Sequence, residues 1–322
     1  MARLSYAQAS CSALHAAMQQ DALVVALGED VGRGGVFGQY RGLQQTFGAE
    51  RVIDTPISEA TIMGAAVGMA LAGLRPVVEM RVVDFALCAM DEVVNQAAKA
   101  RYMFGGQGRV PLVARMPIGL WQGSAAQHSQ SLETWFAHIP GLVVVAPATP
   151  QDNCGLLAAA IACGDPVIYM EHKELWGLEE EVDAARVERL GVAAVRRAGS
   201  DVTLVTWSRT LHDALRAAEA AQAEGLSLEV IDLRTIWPWD RETVFASLRK
   251  TRRLLVAHEA VQVGGFGAEI AAVVAETLGV PVRRLGAPRI PVGYASSLEA
   301  VTRVTPEAIL SVARELAKKP AR

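Results

Sequence analysis

Short, unbroken apolar runs alternating with helix-spaced segments, twice over, constrain this chain more than any other feature. Val24-Val25-Ala26-Leu27, Val52-Ile53, Pro76-Val77-Val78-Glu79-Met80, Val110-Pro111-Leu112-Val113, residues 142–145 and Val167-Ile168-Tyr169 form the first set. Helical patterns separate them, near 40–47, from Ser58, over 85–102 and near 151–163. Strands apolar on both faces belong in a parallel sheet covered by helices on both sides. A looser, charged stretch follows between 173 and 199, and the alternation then restarts at 202–206 and runs to a last helix after Pro306. The expected fold class is α/β with two doubly wound domains, 1–175 and 201–322, joined by a linker over 176–200.

With 322 residues, 51% hydrophobic and 20% charged, the chain can bury a generous core. A net charge of −3 gives no reason to expect nucleic acid as a partner. Four cysteines without Cys-x-x-Cys spacing read as reduced thiols. Neither a signal peptide nor a transit pattern opens the sequence, so a cytoplasmic protein is expected. The apolar run 60–74 is too short to span a bilayer, which takes about 20 residues, so no membrane partner is expected.

Several familiar motifs fail. Gly32-Arg33-Gly34-Gly35-Val36-Phe37 follows a strand but has Phe37 where a dinucleotide fingerprint needs its third glycine, so a tight turn is the reading. There is no Gly-Lys pair for a P-loop, and His258-Glu259 lacks the second histidine of a zinc helix.

Asp54-Thr55-Pro56-Ile57-Ser58-Glu59 leads into Ile62-Met63-Gly64-Ala65-Ala66-Val67-Gly68-Met69-Ala70, apolar on every face. By itself, Ser58 is a helix cap and Glu59 a favourable first-turn charge. A helix apolar all round is buried in a protein or an interface, however. A carboxylate at its mouth is then partly desolvated, which favours the protonated form. Such an acid can donate to a ring nitrogen.

The hexapeptide, its Gly/Ala-rich helix and Gly73-Leu74-Arg75-Pro76 resemble the transketolase-like pyrimidine-binding domain. The β subunits of the E1 components of pyruvate, branched-chain 2-oxoacid and acetoin dehydrogenases are most similar. Ala126-Gln127-His128-Ser129-Gln130-Ser131, Phe136-Ala137-His138-Ile139-Pro140-Gly141, Val230-Ile231-Asp232-Leu233-Arg234-Thr235-Ile236 and Gly264-Gly265-Phe266 extend the likeness over nearly the whole chain. The second domain resembles the transketolase C-terminal domain.

The resemblance implies oxidative decarboxylation of a 2-oxoacid, with acyl transfer to the lipoyl group of an E2 acyltransferase. It implies thiamine diphosphate as cofactor, Glu59 bonding N1′ of its aminopyrimidine, and Ile57, Met80 and Phe85 lining that pocket. Glu29 matches an acidic position bordering it. His128 matches the histidine near the thiazolium and the arriving lipoyl group, while His138 is expected to be structural. No Gly-Asp-Gly occurs in the chain, so the Mg²⁺ that holds the pyrophosphate is expected from an α subunit in an α2β2 heterotetramer. Some relatives hold potassium at positions that correspond to Leu112, Ala160, Ile161, Cys163 and Asp165. Cys163 stands where Asp is expected, and a thiol is a poor ligand for a hard cation. Arg81 is a second departure, since relatives often carry an uncharged residue there.

Two other readings stay open. An acetoin dehydrogenase β subunit is one: Arg101-Tyr102-Met103-Phe104-Gly105-Gly106 and Glu171-His172-Lys173 lean towards acetoin or pyruvate enzymes, whereas Asp232-Leu233-Arg234-Thr235-Ile236 with Pro238-Trp239-Asp240 leans towards branched-chain ones. A nucleotide-binding α/β protein without chemistry of its own is the more remote one.

Overall fold

The computed structural model describes residues 1–320, in two compact units. One comprises Met1–Ile118 with Trp135–Leu190; the other joins Gly119–Thr134 to the chain from Gly191 onward.

In the first unit the strands are β1 (Ala2–Ser5), β2 (Val24–Gly28), β3 (Val52–Asp54), β4 (Arg75–Glu79), β5 (Val113–Arg115), β6 (Val143–Val145), β7 (Val167–Tyr169) and β8 (Glu179–Val182). Six of them form a parallel run in the order β6-β7-β5-β4-β2-β3. Its central strands are buried along their length except at half-buried Arg75, which opens β4, as their unbroken apolar runs require. Helices Tyr6–Gln20 and Pro150–Ala162 cover one side, with Leu14, Met18, Leu156 and Leu157 in a common core with Val24, Val167 and Tyr169. Each such side chain contributes about 1.5–3 kcal/mol on burial. Ser5 caps the first helix through a reciprocal bond with Gln8, and Thr149 caps the second.

The strand order places the candidate site. β2 connects outward to β3 on one side, and the chain then crosses back to β4 on the other. A crevice opens at such a switch point, beyond the carboxyl ends of β2 and β4. Gly28 and Glu79 are register partners there. A Cβ on Gly28 would lie 2.6 Å from the Glu79 carbonyl oxygen, so the two strands close up only because position 28 has no side chain.

The helix after β3 spans Glu59–Leu71 and buries Ile62, Met63, Ala66, Val67 and Ala70. Thr61, Ala65, Gly68 and Leu71 are exposed on its other side. The helix is therefore buried on one face within this chain, not on all of them. Residues 83–103 form no single helix either: 3-10 geometry over Val83–Ala89 gives way to a π-helical turn at Glu92–Ala97 and an α-helix at Ala98–Met103.

The second unit contains β9 (Ala194–Arg197), β10 (Val202–Thr206), β11 (Leu228–Asp232), β12 (Thr235–Trp237), β13 (Leu254–Val261) and β14 (Val282–Ala287). Five make a sheet in the order β14-β13-β10-β11-β9, parallel except for β9 at its edge. The stretch 176–200, read as a connection, thus holds two strands: β8, paired antiparallel with β1, and β9. No helix among the described residues is long and apolar enough to cross a membrane.

Candidate active site

Four charged side chains converge at the switch point. Glu29 and Asp30 follow β2, Arg81 follows β4, and Glu59 opens the helix after β3. Arg81 donates from Nη1 to Asp30 Oδ2 at 2.8 Å, and both residues are left-handed, at φ 60° and 58°. Non-glycine residues rarely adopt this backbone and tend to do so at functional sites. Burial raises the proton affinity of Glu29; the negative charge of Glu59 adds to the effect, and the Arg81 guanidinium opposes it. Glu29 is therefore biased towards holding a proton, in part because it senses the Glu59 charge.

Near them in sequence, Met80 is buried, Phe85 is partly buried like Glu59, and Ile57 projects with 77% of its surface exposed. Ser58 does not cap the helix, because its hydroxyl bonds Thr61 Oγ1 at 2.8 Å. The first-turn N–H groups are left without a side-chain cap beside Glu59. A partly exposed acid with apolar neighbours fits the pyrimidine half of thiamine diphosphate. Among the described residues no three His, Cys, Asp or Glu side chains gather as metal ligands.

His128 lies in the other unit, exposed on the loop Gly119–Thr134. That loop is anchored by two carboxylates distant in sequence. Leu120 N–H donates to Glu259 Oε1 at 2.8 Å, and Gly123 N–H to Glu299 Oε2 at 2.7 Å. Gly119 N–H also donates to Gln130 O at 3.0 Å, closing the loop's base. His138 is exposed in the first unit.

At the positions matched to a potassium site, the carbonyl oxygens of Leu112, Ala160, Ile161 and Cys163 already accept hydrogen bonds within the chain. Leu112 O accepts from Val167 N–H at 2.9 Å, and Ala160 O from Cys163 N–H at 3.1 Å. Arg75 Nη1 donates to Ile161 O at 2.8 Å and to Cys163 O at 3.4 Å. Asp165 is paired with Arg101. A guanidinium already supplies the positive charge at two of these carbonyls.

Sequence reasoning passed over Asp30, Glu259, Glu299 and Glu79. Glu79 is buried and has its pKa raised to about 7, chiefly by burial and against the pull of Arg115. It borders a buried network in which Arg115 binds Glu171 twice, at 2.8 and 2.7 Å, while Ser10 accepts from Arg115 and Asn153 donates to Glu171, and Arg115 Nη1 is left without a hydrogen-bond partner among the described residues. Only Glu259 carried a local signal, as part of the His-Glu pair weighed for zinc.

Residues 2–177 match the family described as "Transketolase, pyrimidine binding domain", and residues 191–309 match "Transketolase, C-terminal domain". The chain is 41% identical over 326 residues to the 2-oxoisovalerate dehydrogenase subunit beta of Bacillus subtilis (strain 168), covering 99% of this chain and 100% of that one. Identity to the mitochondrial pyruvate dehydrogenase E1 component subunit beta-1 of Arabidopsis thaliana is 44% over 298 residues, covering 89% and 82%. To the acetoin:2,6-dichlorophenolindophenol oxidoreductase subunit beta of Bacillus subtilis (strain 168) it is 42% over 340 residues, covering 100% and 99%. A solved structure described as "Split gene transketolase, inactive beta4 tetramer" superimposes with a TM-score of 0.81 at 21% identity, covering 98% of each chain, which shows the shared fold. The chain belongs to the transketolase-like family that contains the E1 β subunits of 2-oxoacid and acetoin dehydrogenases.

Proposed function

We propose that this chain is the β half of a thiamine-diphosphate-dependent E1 enzyme. It oxidatively decarboxylates a 2-oxoacid and passes the acyl group to the lipoyl group of an E2 partner. The observation that carries the reading is the Glu29–Glu59 carboxylate pair at the switch point, with Met80, Phe85 and Ile57 near it in sequence. Thiamine diphosphate, when bound, supplies the electron sink for carbon–carbon cleavage. Glu59 presents a proton to N1′ of the aminopyrimidine, and Glu29 restrains the charge that Glu59 faces. His128, exposed on an anchored loop, moves a proton at the dithiolane during acyl transfer.

The pyrophosphate and its Mg²⁺ are held by an α subunit, since this chain has no Gly-Asp-Gly segment. The exposed small-residue face of the helix Glu59–Leu71 and the exposed Tyr102, Met103 and Phe104 suit burial in an α2β2 heterotetramer. A 2-oxoacid is preferred over acetoin because Arg81 uses only Nη1 on Asp30. Among the described residues the rest of its guanidinium makes no side-chain bond, and a second carboxylate, which acetoin lacks, suits it.

The test mixes this chain with a candidate α chain carrying Gly-Asp-Gly…Asn. Thiamine-diphosphate-dependent turnover of pyruvate or a branched-chain 2-oxoacid is the expected result. Turnover of acetoin alone would move the assignment to the acetoin enzymes, and no cofactor-dependent turnover at all would overturn it.

A further inference from the structure

The Gly-rich turn that failed as a dinucleotide fingerprint walls a cavity of about 400 Å³ in the first unit. The helix Tyr6–Gln20 supplies the opposite wall with Gln8, Ser12 and His15, which share one face at helical spacing. The turn supplies Phe37 and Arg41, and Trp176 completes the lining. Gly34, Gly35 and Gly38 hold positive φ, which lets the turn double back. Tyr40 N–H donates to Gly34 O at 2.9 Å and Phe37 N–H to Gln39 Oε1 at 2.9 Å, fixing the shape.

Three features of the lining point to a ligand. No carboxylate is among the lining residues, although the chain as a whole is acidic. Among the described residues the Arg41 guanidinium makes no ion pair, and its side chain is exposed at the rim. Phe37 lies stacked on Trp176, centroids 4.8 Å apart and 14° from parallel, and remains partly exposed. Cys11 also lines the cavity, but burial pushes its thiol up, so binding is favoured over covalent chemistry.

We propose that this cavity binds a nucleotide, with the phosphate on Arg41 and His15 and the flat base against Phe37. Cation, donor hydroxyl and aromatic face are the groups such a ligand needs, and the volume lies in the range of small-molecule sites. None of the residues named for the candidate active site lines it. Success or failure here is therefore independent of the E1 reading.

The experiment titrates ADP and, separately, inorganic phosphate into the full-length wild-type chain, read by calorimetry and tryptophan fluorescence. ADP is expected to saturate one site, more tightly than inorganic phosphate, and to quench Trp176. Arg41→Ala is expected to weaken ADP at least about tenfold, the loss of one charge-assisted contact. Phe37→Leu should weaken ADP while leaving inorganic phosphate unchanged. If Phe37→Leu lowers thermal stability by breaking the Trp176 stack, Arg41→Ala, whose side chain is exposed, still decides. Absence of saturable ADP binding, binding indifferent to Arg41→Ala, or ADP no tighter than inorganic phosphate would each overturn the proposal.

Discussion

Arg81 and Asp30 lie two residues beyond the register partners Glu79 and Gly28, and they meet through a 2.8 Å ion pair with both backbones left-handed. The pair ties together the ends of adjacent strands at the switch point. It also sets the charge that Glu29 faces, since Arg81 opposes the rise that burial and Glu59 impose. Replacing Arg81 by Asn keeps a residue that tolerates this backbone while removing the cation. The acid limb of the kcat/KM–pH profile of the reconstituted enzyme is then expected to move to higher pH. An unmoved limb would show that Arg81 does not act through Glu29.

Glu59→Gln removes the proton exchanged with the cofactor ring but keeps volume and helix start. Decarboxylation should fall by about 100-fold or more while co-purification with the α chain is unchanged. Normal turnover by this variant would refute the role given to Glu59.

His128→Ala should spare decarboxylation measured with an artificial electron acceptor and reduce acylation of the lipoyl domain by about 100-fold. His128 is exposed, so the thermal transition should stay in place. Equal loss in both assays would place the imidazole in an earlier step.

Glu79 governs a pH dependence of stability. Its folded-state pKa is near 7 against an ordinary 4.5, so the folded chain binds the extra proton between those values. Its contribution to stability is therefore lost as pH rises from about 4.5 to about 7, by up to about 3 kcal/mol. Glu79→Gln, neutral throughout, should show a smaller fall in thermal midpoint than wild type between pH 5 and 8. Parallel curves for the two proteins would exclude this group as the source.

Arg75 takes two of the carbonyls read as potassium ligands. Exchanging KCl for NaCl at equal ionic strength is expected to leave the thermal midpoint unchanged. Arg75→Met should lower stability by about 2 kcal/mol, because the Ile161 and Cys163 carbonyls and Asp21 lose their cation. A potassium-specific rise in the midpoint would restore the ion.

Much of this was legible in the sequence where the signal is local. The run Val24-Val25-Ala26-Leu27 became β2, and the restart of the pattern at 202–206 became β10 over Val202–Thr206. Pro306 opens the last helix as expected. Glu59 at the head of an apolar helix was readable for the same reason: spacing and residue type lie within one turn. The broken geometry at 83–103 was not, because apolar periodicity does not distinguish 3-10 and π turns from an α-helix.

The order of the strands, the Asp30–Arg81 pair and the home of the His128 loop were decided only in three dimensions. Asp30 and Arg81 are brought together by the pairing of β2 with β4, and the His128 loop is claimed by Glu259 and Glu299, from 139 to 176 residues further along. The chain's own alternation of apolar and helical segments determined which elements form and where an acid opens a helix. Which of those ends share a crevice followed from sheet topology, because a carboxylate carries no information about a partner that only a strand crossover brings within 3 Å.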